Sequence, residues 1–141
     1  MSSVDPQFES NVISLLKGIY DNIGAGVPYK SINVSFYQKQ SDDSVEYTVL
    51  SNNSGYTFDV VGITPGVIEV TTDIPDFRLT QVFVSPLTHP SDYCAIEVIS
   101  DNPYIFRLYS INAGVGADAG GFGNNGATRV TFEIRIYPEP A

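Results

Sequence analysis

The chain has 141 residues, a hydrophobic fraction of 43%, and 16 Asp and Glu against 7 Lys and Arg, for a formal charge of −9. That length suits one domain with its own core, and that apolar content excludes a disordered chain. The acidic balance is the wrong sign for holding phosphates or anionic headgroups, so neither nucleic acid nor a membrane is an expected partner.

A single Cys and a single His exclude an intrachain disulfide and any metal site that needs two imidazoles. No metal, cofactor or catalytic residue is expected. The N-terminus has neither the basic start nor the apolar core of a secretory signal, which predicts a chain made and folded in a cytoplasm.

Near the N-terminus, Phe8, Val12, Leu15, Leu16, Ile19 and Ile23 recur at steps of three and four, the spacing of one helical face. Asp5 suits the N-cap, Pro6 the first helical position, and Gly24 or Gly26 the terminating cap, so a helix is predicted over about residues 6–23. So short a helix is marginal in isolation, and Gly18 inside it costs about 1 kcal/mol relative to Ala. The stripe must therefore dock, on its own domain or on other copies of the chain. Gly24 to Pro28 reads as a hinge, dividing the chain into a helical arm (1–28) and a β-domain (29–141).

From Ser31 the period becomes two. Ile32, Val34 and Phe36 alternate with polar residues, and after the turn Ser41–Ser44 so do Val45, Tyr47 and Val49, which predicts a hairpin. Further strands are predicted over Tyr56–Val61, Val67–Thr72, Arg78–Val84, Cys94–Ser100, Tyr104–Asn112 and Thr128–Tyr137, punctuated by Asn, Gly and Pro turns. With no second helix to cross between parallel strands, the fold class is all-β. The expected form is an antiparallel two-sheet sandwich of about eight strands, jelly-roll-like, with one short amphipathic N-terminal helix; pattern alone leaves an immunoglobulin-like strand order or a small barrel as alternatives.

Three apparent motifs dissolve on inspection. Gly114–Ala119 matches the dinucleotide fingerprint, but more glycines follow where a helix should begin, so it reads as a long contact loop in which Phe122 could anchor on a neighbour. His89 sits between Thr88 and Pro90 in a loop while Cys94 opens an apolar strand, so the pair reads as a loop residue and a buried, inert Cys rather than a base and its thiol. Asp42-Asp43, Asp73 with Asp76, and Asp101-Asn102 lack calcium-loop spacing and read as turn formers.

A short amphipathic helix, a Gly-rich hinge and an acidic β-sandwich ending in Val130-Thr131-Phe132-Glu133-Ile134-Arg135-Ile136-Tyr137-Pro138 resemble small virion proteins of tailed bacteriophages. That group includes capsid cement or decoration proteins and fibre-associated domains, which are often trimers. The resemblance implies a virion-located, non-enzymatic homotrimer that clamps adjacent capsomers of the major capsid protein. The alternative it implies is a fibre or baseplate module for host-surface recognition. In either case Phe8, Val12, Leu15, Leu16, Ile19, Ile23 and Phe122 are the expected oligomer or shell interface.

Overall fold

A computed structural model describes residues 7, 9–16, 28–88, 92–112, 116–117 and 119–139. The alternating run after the hinge forms β1 (Lys30–Gln38), and Lys39–Ser44 turns it back into β2 (Val45–Asn52). Ser44 closes that turn, its carbonyl accepting from Lys39 N at 2.7 Å while its own N donates to Asp42 Oδ1 at 3.1 Å. The chain then builds β3 (Phe58–Thr64), β4 (Val67–Thr72) and β5 (Thr80–Val84), followed by β6 (Asp92–Asp101) and β7 (Tyr104–Asn112). A two-residue β8 (Gly116–Ala117) and the closing β9 (Val130–Ile136) complete it.

These strands make two antiparallel sheets, ordered β2-β1-β9-β5 and β3-β4-β7-β6, with β8 paired to the end of β7. The expected two-sheet sandwich is what forms. Its wiring differs from a jelly roll, in which successive strands alternate between sheets: here β1–β2, β3–β4 and β6–β7 each stay together as hairpins. Short turns such as Thr64-Pro65-Gly66, with Gly66 at φ 76°, hold a strand beside its predecessor.

Burial follows position in the sheet. The central strands β1, β9, β4 and β7 are flanked on both sides, so their inward residues are sealed: Ile32, Val34, Ile68, Val70, Phe106, Leu108, Val130 and Ile134 are all 0% exposed. Each contributes roughly 1.5–3 kcal/mol of hydrophobic burial. The Phe106 and Phe132 rings meet edge-on between the sheets, centroids 6.3 Å apart at 89°.

Of the buried polar residues, one has both ends of its side-chain amide hydrogen-bonded. Gln38 is 0% exposed. Its Nε2 donates to the carbonyls of Asp43 (2.9 Å) and Thr64 (2.8 Å), and its Oε1 accepts from Gly66 N at 2.8 Å. It thereby ties the β1–β2 turn to the β3–β4 turn across the sandwich.

Two boundaries moved for identifiable reasons. The predicted start of the fifth strand is a 3₁₀ turn, Phe77–Leu79, because Asp76 caps it by accepting from Arg78 N at 2.9 Å. The glycine-rich connection is folded onto the domain: Ala119–Gly121 and Asn124–Gly126 are 3₁₀ turns. At Gly123, φ is 87° and a Cβ would lie 2.5 Å from Tyr37 Cβ, so this glycine serves a close approach of loop to strand.

Candidate assembly surface

Gln7 and residues 9–16 are helical, and every one of them is exposed. Val12 is 37% exposed, Ile13 59%, Leu15 65% and Leu16 59%. A helix forms here because the segment lacks internal Gly and Pro, and Gln7 Nε2 reaches Asn11 Oδ1 at 3.1 Å, one turn on. Of the predicted stripe, Val12, Leu15 and Leu16 are thus presented to solvent, while Phe8, Ile19 and Ile23 lie outside the described residues. Ile13, off the predicted stripe, adds to the same apolar surface.

Phe122 is a correction. It was expected to anchor the loop on a neighbour, but it is 0% exposed and plugs its own core, its ring centroid 5.3 Å from that of Phe36. Its carbonyl accepts from Gln38 N at 2.9 Å, so the loop bonds to β1 as well. A side chain enclosed on all sides offers no contact area to a partner.

A second apolar region was not anticipated. On β2, Tyr47 and Val49 oppose Phe36 and Val34, so they face inward, yet they remain 38% and 46% exposed. On β6, Ile96 and Val98 oppose Leu108 and Phe106 and remain 44% and 45% exposed. Both are edge strands, flanked on one side only, and β6, with 10 residues, is twice as long as β5, the edge strand of the other sheet on that side. The sandwich is therefore closed along its middle and open at its edges. In the sequence, the unbroken apolar run Val98-Ile99 after Ile96 marks a strand that does not alternate cleanly.

At the end of the sandwich where β1 begins, a cleft of about 850 Å³ is lined by Tyr29, Tyr56, Ile74, Leu79 and Tyr137 among others. Part of its aromatic surface is already used. Tyr29 packs on Tyr137 with centroids 5.5 Å apart, and the Arg135 guanidinium lies 4.6 Å from the Tyr29 ring centroid.

Charges are paired at close range: Lys39 with Glu46, Arg78 with Asp76 and Arg107 with Glu69, each at 2.9 Å, and Arg135 with Glu133. The Arg78 side chain and backbone N–H hold the Asp76 carboxyl below the usual carboxylate range. Burial pushes the Cys94 thiol up to about 11, so it stays protonated at neutral pH, the opposite of an activated nucleophile. His89 lies outside the described residues. Among the described residues, no three His, Cys, Asp or Glu side chains gather as a metal set, and no helix is long and apolar enough to cross a membrane.

What the geometry offers is a domain with a sealed centre and apolar surface at its margins. No family model, curated protein or solved structure matches the chain.

Proposed function

We propose that this chain is a non-enzymatic structural protein of a virion, a capsid cement protein that acts as a homotrimer to clamp adjacent capsomers of the major capsid protein. One observation carries the reading: the sandwich completes a core of its own, while the helix holds Val12, Ile13, Leu15 and Leu16 in water. Each such side chain forgoes roughly 1.5–3 kcal/mol of burial, which association recovers. Repetition strengthens a weak contact, because joined subunits raise one another's effective concentration on a symmetric lattice. The formal charge of −9 suits recognition of basic patches on a shell.

The tyrosine-lined cleft favours a second reading, a fibre or baseplate module that recognises a host surface. Counting copies in the purified source particle by quantitative mass spectrometry separates the two. A cement is expected in a fixed, high ratio to the shell protein and a fibre module in few copies; absence from the particle would overturn both.

A further inference from the structure

β6 ends its sheet, so along its 10 residues a row of backbone N–H and C=O groups points away from β7 with no strand to meet it. Edge strands are usually blunted by shortness, Lys or Pro. β5 has only 5 residues and Pro86 follows it closely, whereas β6 is long and contains no Lys, Arg or Pro. On the opposite side of the sandwich, Tyr47 of β2 closes the seam between the sheets, its ring centroid 5.8 Å from that of Phe58 on β3. On the β5–β6 side the seam is open, and a groove of about 300 Å³ is lined by Val84, Leu87, Cys94 and Ile96 among others.

The chemistry of that edge selects its occupant. A row of backbone donors and acceptors is matched by another extended strand, lying about 4.8 Å from β6 and sending alternate side chains to the two faces of the sheet. Its inward residues meet the groove and the uncovered flanks of Ile96 and Val98, which are 44% and 45% exposed, so they are apolar. Its outward residues pass Glu97. Arg107, directly opposite Glu97 on β7, turns to Glu69 at 2.9 Å. Glu97 accepts from the Tyr109 hydroxyl at 2.9 Å but is in no ion pair among the described residues. With Asp92 and Asp101 also on β6, a second copy of the strand would bring only further acids to this edge, whereas a Lys or Arg complements it. We propose that β6 is a strand-addition site for an extended segment of a partner protein, apolar on its inward side and basic where it passes Glu97. The site is built without the helix, so it is independent of assembly through the helix.

Fluorescence anisotropy of a labelled synthetic peptide of alternating valine and lysine, about eight residues long, titrated with the full chain, tests this, and hydrogen-exchange mass spectrometry locates the contact. Saturable binding is expected, with exchange slowed in β6 and unchanged in β2, and a valine–glutamate peptide binds at least about tenfold more weakly. Glu97→Lys, at an exposed position, reverses that preference, and Ile96→Lys weakens binding of the valine–lysine peptide. No binding, equal binding of the two peptides by the native chain, or slowed exchange elsewhere than in β6 overturns the proposal. So does protection of β6 that rises with chain concentration when no peptide is present, the mark of a second copy on that edge. Should Glu97→Lys fail to fold, the comparison of the two peptides on the native chain decides alone.

Discussion

Truncating Phe122 to Ala is expected to lower the unfolding free energy by about 3–5 kcal/mol in urea titrations, a loss typical of a fully enclosed Phe. The expectation is unusual for a residue in a glycine-rich connection, since loops run over surfaces. Phe122 has 0% exposure, and its ring packs against Phe36, itself 5.6 Å from Phe132 by centroid, so truncation opens a cavity at the end of the shared core. It also loosens the loop, whose carbonyl at Phe122 accepts from Gln38 N at 2.9 Å. A loss below about 1 kcal/mol would mean that the loop is a surface arm after all.

A comparable loss, about 3 kcal/mol or more, is expected for Gln38→Glu, although the two side chains have nearly the same shape. The Gln38 amide donates to the Asp43 and Thr64 carbonyls, at 2.9 and 2.8 Å. An ionised Glu can only accept, so it would set oxygen against oxygen inside a site with 0% exposure. Burial and the facing carbonyls raise the folded-state pKa of such a Glu above its unfolded value. The sign follows: the variant binds its proton more tightly when folded, so its deficit is least at acid pH and grows as pH rises through the folded pKa. Urea unfolding at pH 4 and pH 7 measures both. Equal deficits at the two pH values would show that charge is not the cause.

The strands were legible in the sequence wherever a strand is flanked on both sides. Ile32, Val34 and Phe36 in β1, and Tyr104, Phe106 and Leu108 in β7, alternate because one face meets the core and the other meets water. Edge strands carry a weaker pattern, as Ile96, Val98 and Ile99 do, because neither of their faces is fully covered. The wiring was beyond local pattern: period two says which face is inward, but not which sheet a strand joins. Gln38 and Phe122 escaped notice for a related reason. Each acts through partners far along the chain, Thr64 and Gly66 for one and Phe36 for the other. The helix was legible in type, and Val12, Leu15 and Leu16 stand exposed on it, but the association proposed for its stripe is not something that one chain's sequence displays.

That association is the central claim, and light scattering of the full chain across a concentration series tests it most directly. The account predicts a mass of several chains, most simply three, and dissociation to single chains in the double variant Leu15→Asp, Leu16→Asp, with the β-sheet circular dichroism unchanged. Both positions are solvent-exposed on the helix, at 65% and 59%, so the substitutions leave the sandwich core intact. A native chain that stays monomeric at high concentration, or a double variant that assembles as the native chain does, would contradict it.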